Sequence, residues 1–216
     1  MAGILKVDTI QRAGSDSDQI TLSANTVTIG GTTLKVPNSV QTTTGKTILN
    51  NTGSVLQVVQ SVKLDRFQGQ ASTLTDITGT DQSGSGSIFC CKITPSSTSN
   101  KILVTLSMGI TATDAGTGVS LVRDSTEIYK GAASGSKARL TIGPVYGSGS
   151  NNNVYSIPVS AAVFLDSPSS TSELVYKPQY FSRGSSNFNL GHTIYNTDND
   201  NATRVPSSIT LMEIVG

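Results

Sequence analysis

The stretch Ile20-Thr21-Leu22-Ser23-Ala24-Asn25-Thr26-Val27-Thr28-Ile29-Gly30-Gly31-Thr32-Thr33-Leu34-Lys35-Val36 repeats an apolar-polar-apolar triplet every seven residues. A coiled coil needs apolar residues three and four apart, whereas residues two apart sit about 200° apart around a helix and share no face. In an extended chain residues two apart do share a face. The polar intervals between triplets are turn chemistry, so the segment reads as very short strands alternating with tight turns. Such a ribbon has a narrow apolar stripe (Ile20, Leu22, Val27, Ile29, Leu34, Val36) and nothing of its own to cover it. Isolated hairpins of this kind are marginal in water. We therefore expect these six residues to form a trimer interface, packing against copies of themselves around a three-fold axis. The alternative is an ordinary meander laid on the larger domain.

Beyond Pro37 the text turns polar and turn-rich, through Asn38-Ser39-Val40-Gln41-Thr42-Thr43-Thr44-Gly45 and Asn50-Asn51-Thr52-Gly53. It reads as a linker that divides an attachment and trimerisation segment, 1–52, from a C-terminal domain, 53–216. In that domain alternating segments recur at 56–64, 88–93, 102–110, 119–123, 138–142, 155–165, 174–180, 188–190 and 209–215, separated by Gly, Ser, Asn and Pro clusters. This spacing predicts an all-β fold, a two-sheet β-sandwich or jelly roll. In the last segment Ile209, Leu211 and Val215 alternate with Met212 and Ile214, so both faces are apolar and the strand is central or covered by another subunit. Pro158 and Pro178 fall inside their segments and mark edges or bulges. Cys90 and Cys91 are adjacent, so in a strand their thiols point to opposite faces and do not pair with each other.

Composition narrows the function classes. Fifteen basic and fourteen acidic residues give a net charge of +1 in 216 residues. No long-range field gathers phosphate backbones or anionic lipid, so neither nucleic acid nor a membrane is an expected partner. No apolar run reaches the ~20 residues of a membrane helix, and the opening Met1-Ala2-Gly3-Ile4-Leu5-Lys6-Val7-Asp8 meets an acid too early for a signal-peptide core. We expect a product that stays in the cytoplasm where it is made, with reduced thiols.

The motifs that carry chemistry elsewhere are weak here. Gly45-Lys46-Thr47 resembles the end of a phosphate-binding loop, but Val40 stands where that loop needs glycine. His192, the single histidine, is read as a plain surface or intersubunit residue and not as part of a Ser-His-Asp relay. Asp198-Asn199-Asp200-Asn201 carries the oxygen ligands calcium prefers without the glycine and distal Glu of a calcium loop, and reads as an Asx-rich turn. Asp114, Asp124 and Glu127 are scattered at strand ends with no partner recognisably placed for glycoside hydrolysis. Tyr146, Tyr155, Tyr176, Tyr180, Phe181 and Tyr195 read as core and interface aromatics, with a sugar-stacking platform as the alternative. No cofactor or metal is expected, and the chain is not read as an enzyme.

Both ends of the chain carry a resemblance. Gly3-Ile4-Leu5-Lys6-Val7-Asp8-Thr9-Ile10-Gln11 and Ser207-Ser208-Ile209-Thr210-Leu211-Met212-Glu213-Ile214-Val215-Gly216 resemble the ends of tail-fibre-like virion structural proteins of marine podoviruses that infect cyanobacteria. Internal phrases such as Ser54-Val55-Leu56-Gln57-Val58-Val59-Gln60, Leu121-Val122-Arg123-Asp124-Ser125-Thr126, Phe164-Leu165-Asp166-Ser167-Pro168 and Asn196-Thr197-Asp198-Asn199-Asp200 are similar to that group. The resemblance implies a homotrimeric tail fibre, assembled in the host cytoplasm and carried on the virion. Its N-terminal part would hold another tail or adaptor protein, and its distal β domain would meet a host surface glycan or protein. Placement on the capsid as a decoration or whisker fibre is the alternative, followed by a polysaccharide-degrading tailspike. Host contact is expected on turn-rich loops, since a rigid scaffold leaves loops free to bind. The candidates are Gly147, Ser148, Asn151, Asn152 and Asn153 in one loop and Asp198, Asn199, Asp200 and Asn201 in another.

Overall fold

The computed structural model describes residues 52–79, 88–114, 116–143, 155–184 and 186–216. They belong to one compact unit, Asn50–Gly216. The expected ribbon, with Ile20, Leu22, Val27, Ile29, Leu34 and Val36, lies outside the described residues, and so does Gly45-Lys46-Thr47.

The described elements are β1 (Val55–Lys63), β2 (Phe67–Gly69), β3 (Thr75–Asp76), β4 (Cys91–Ile93), β5 (Lys101–Ala112), β6 (Gly118–Arg123), β7 (Thr126–Ile128), β8 (Val159–Asp166), β9 (Leu174–Phe181), β10 (Phe188–Leu190) and β11 (Ser207–Ile214). The fold is all-β, and its strands pair antiparallel in two sheets. One sheet has the order β1-β11-β5-β10-β2 with β8 paired to β5, and the other has the order β3-β9-β6-β7 with β4 paired to β9. β11 is central, hydrogen-bonded to β1 on one side and β5 on the other. Its two apolar faces had left that position open.

One core joins the sheets. Strict alternation in β5 turns Ile102, Val104, Leu106, Met108 and Ile110 inward, and β11 adds Ile209 and Leu211. The second sheet answers with Val119, Leu121, Leu174, Tyr176 and Tyr180, and Tyr180 stacks on Phe188 at 5.1 Å. Leu106, Ile110 and Ile209 are wholly shielded from water. Truncating any of them to alanine costs about 2–5 kcal/mol, because the removed atoms leave a cavity that a close-packed interior refills poorly.

Three departures from the expected strands have local causes. The segment 138–142 forms no strand: only Ile142 bridges β6, at Val119. The Thr141 hydroxyl instead accepts the Leu121 N–H and donates to Tyr129 O, taking over a rung that a ladder would supply. Gly118 allows this approach, because a Cβ there would meet Ile142 O. β8 begins at Val159 and not at 155, since Pro158 has no N–H to give a ladder. Pro178 does lie inside β9, at a gap: β4 covers Leu174 to Tyr176 on one flank and β3 covers Gln179 and Tyr180, leaving 178 unpaired on that side. The lost N–H therefore costs no rung.

Candidate functional site

The outer faces of the two sheets differ in kind. On the second sheet Lys177 pairs with Asp76 at 2.8 Å and Lys92 pairs with Glu173 at 3.0 Å, beside Gln179 and Glu127, while Ser120 and Val122 of β6 on the same face are buried. The first sheet has four charged residues in its strands. Lys63, Asp166 and Glu213 are buried, and only Lys101, at the start of β5, is exposed.

Register shows what replaces charge there. Val58 of β1 lies beside Met212 of β11, Met212 beside Leu103 of β5, and Leu103 beside Leu165 of β8, so one continuous row is wholly apolar. The next outward row runs Gln60, Thr210, Thr105, Val163, and the one after it Val62, Ser208, Ser107, Ala161. Ile214 extends the apolar area at one end, beside the exposed Lys101, and Val159 extends it at the other. Val58 is 55% exposed, Val163 55%, Val159 59% and Leu165 46%. Four strands ~4.8 Å apart and eight residues long at ~3.3 Å each give a footprint of roughly 500 Å². Only part of that footprint is apolar, the Val58-Met212-Leu103-Leu165 row with Val163, Val159 and Ile214, and an exposed apolar cluster of this kind is a candidate contact surface.

Three polar clusters hold this face rigid from beneath. The Glu213 carboxylate accepts hydrogen bonds from Asn100 Nδ2 and Gln57 Nε2, both at 2.6 Å, and from the Ser96 N–H at 2.6 Å and hydroxyl at 2.8 Å. Burial pushes this carboxyl up, but the four donors outweigh it and hold it below its ordinary value. Asp166 accepts from Arg123 Nη1 and from the Tyr176 hydroxyl, joining β8 to the second sheet. Lys63 pairs with Asp65 at 2.7 Å.

A groove of about 480 Å³ opens elsewhere, lined by Ser72, Thr73 and Leu74, by Glu127 and Lys130, by Lys137, Ala138, Arg139 and Leu140, and by Phe181. Glu127 accepts from the Ser120 hydroxyl at 3.1 Å and pairs with Lys130 at 3.3 Å. Arg139 donates through Nε to Gly131 O at 2.6 Å.

No family model matches the chain, and no curated protein is significantly similar to it.

The residues singled out in the sequence distribute as follows. Gly147, Ser148, Asn151, Asn152, Asn153 and Tyr146 lie outside the described residues. Asp198, Asn199, Asp200 and Asn201 are exposed, and Asn199 Oδ1 accepts from the Asn201 and Ala202 N–H groups, the Asx turn expected. Among the described residues no group of three or more His, Cys, Asp or Glu side chains could hold a metal ion. Asp124 caps the tight β6–β7 turn at φ 55° and accepts from the Val175 N–H, and Glu127 lines the groove. Tyr176 and Tyr180 are core residues, whereas Tyr155 and Tyr195 meet edge-on at 6.0 Å with Tyr195 half exposed. No disulfide involves Cys90 or Cys91.

His192 corrects the sequence reading: it is not a surface residue but is buried inside the subunit. Its Nδ1 lies 2.8 Å from Thr193 O, and Nε2 has no partner among the described residues. Burial pushes its pKa down, which keeps the ring neutral. The signal missed was the approach of the 204–205 segment, where Arg204 bridges His192.

Proposed function

We propose that the chain is a structural protein of a bacteriophage virion, a homotrimeric tail fibre that joins the tail to the host cell surface, and that it is not an enzyme. In this reading the two antiparallel sheets form a β-sandwich of jelly-roll type. The mainly apolar outer face of the first sheet turns toward a three-fold axis, with Lys101 at its margin. The N-terminal ribbon contributes its own apolar stripe to the same oligomer.

The observation that carries this reading is the Val58-Met212-Leu103-Leu165 row, with Lys101 at its margin as the one exposed charge among the described strands of that sheet. Three such faces turned to one axis bury roughly 1,500 Å² in all, shared among three interfaces, and the ribbon would add its own stripe to each. Further copies of the chain are the partners that fit, because the face joins an apolar row to neutral hydroxyl and amide rows and carries a charge only at Lys101 on its margin. The phage assignment rests on the resemblance of both chain ends and the internal phrases to virion proteins. Its mechanism is geometric: three copies present three loop sets together, and multivalency converts modest single-site affinity into firm attachment.

Electron micrographs of intact particles labelled with antibody to this chain test the placement. Label on the tail is expected. Label on capsid vertices or faces contradicts the tail assignment in favour of a whisker, and unlabelled particles contradict a virion role.

A further inference from the structure

We propose that the groove between the segments 72–74, 127–130 and 137–140 binds an acidic saccharide, with Lys130, Lys137 and Arg139 taking its carboxylates and a sugar ring lying over Phe181 and Leu140. The inference deepens the fibre reading and rests on it, since a host-surface glycan is the ligand such a fibre would meet.

Charge distribution is the first argument. The whole chain carries a net charge of +1, yet three cations line this one groove against a single carboxylate, Glu127. Glu127 is already engaged by Lys130 and Ser120, so it does not neutralise the others. Arg139 uses only its Nε, on a backbone carbonyl, and Lys137 has no ion pair among the described residues. Like charges gathered along a concave wall repel one another and raise the local concentration of anions.

The second argument is the floor. Leu74, Leu140 and Phe181 are half-buried and apolar, and Ser72 and Thr73 add hydroxyls at the rim. A simple inorganic anion makes no use of an apolar floor, and a volume of about 480 Å³ exceeds what one such ion fills. Sugar rings present an apolar C–H face and a hydroxylated edge, and ligand sites commonly span ~300–1,000 Å³. Nucleic acid does not fit, because it requires a broad basic surface and not a single groove on a near-neutral chain.

The test is calorimetric titration of the full chain with trigalacturonate, maltotriose and inorganic phosphate at matched low ionic strength. Trigalacturonate is expected to bind at least about tenfold more tightly than either of the others, and added salt should weaken it. The Lys137→Ala/Arg139→Ala variant, both positions being exposed, should lose at least about tenfold while its melting temperature and oligomer mass stay unchanged. Equal binding of maltotriose, equal binding of phosphate, or undiminished binding by the variant overturns the proposal. An intact trimer that ignores trigalacturonate overturns this inference alone, whereas a monomer contradicts the fibre reading beneath it.

Discussion

The Tyr176 hydroxyl donates a 2.6 Å hydrogen bond to Asp166 Oδ2, tying β9 of one sheet to β8 of the other across the core. Arg123 Nη1 meets the same oxygen at 2.6 Å. Burial and the adjoining carboxylate together push the Tyr176 pKa far up, so this phenol stays a donor throughout the working range of pH. Arg123 is a quarter exposed, which lets water compensate part of any loss.

Asp166→Asn should therefore destabilise the subunit by about 2–3 kcal/mol, less than a wholly buried pair would cost. For a chain of this size that corresponds to a melting temperature lower by roughly 5–10 °C. Tyr176→Phe should cost about 1–2 kcal/mol, since the carboxylate keeps its arginine. Thermal unfolding of both variants checks the order, and an unchanged Asp166→Asn midpoint contradicts the cross-sheet role.

Stability should fall in acid from two buried groups. Glu213 has a folded pKa below its ordinary 4.5, so the unfolded chain binds its proton more readily; the carboxylate contributes stability above pH 4.5 that is lost as pH falls through the folded value. His192 acts in the same direction at higher pH: its folded pKa lies below 6.5, so unfolding gains a proton as pH falls under 6.5. Urea unfolding between pH 3 and 8 should show both losses. His192→Asn should flatten the upper part of the profile and Glu213→Gln the lower part, the latter also losing stability at neutral pH.

Much of the fold was legible because its long strands bury one face. β1, β5, β9 and β11 alternate over eight to twelve residues, enough for the period to stand out. β2, β3 and β7 were not, since their two or three residues hold at most one large apolar side chain, whereas the equally short β4 and β10 stood out by Ile88-Phe89, Ile93, Phe188 and Leu190. Met212 and Ile214 announced a second apolar face on β11 from the sequence alone. The partners Val163 and Leu165 on β8 needed the register to join them. The groove was invisible for the same reason: Leu74, Lys130, Arg139 and Phe181 come from four separated segments that only the fold assembles.

Cys91 should resist thiol reagents. Burial, with the adjacent Cys90 thiol adding to it, pushes its pKa up from 9.0 to about 11, which lowers the reactive thiolate about 100-fold near neutral pH. In a Cys90→Ser variant, which keeps the burial and loses only the neighbour's contribution, labelling at pH 8 should be markedly slower in the folded chain than in urea. Equal rates in both conditions contradict the buried placement.

Val163→Asp and Leu165→Asp should break the oligomer without unfolding the subunit. Both side chains point outward and are about half exposed, so a lone subunit tolerates a charge there, whereas an interface of like faces would bury it unpaired in every copy. Val27→Asp in the ribbon should act in the same direction. Sedimentation should report a smaller species, with the melting profile of the separated subunit still cooperative.

Light scattering of the full-length chain at micromolar concentration is the most direct test of the central claim. Three chains of 22.4 kDa should give a single species of about 67 kDa. A stable species of 22.4 kDa, with the Val58-Met212-Leu103-Leu165 row open to water, would contradict it.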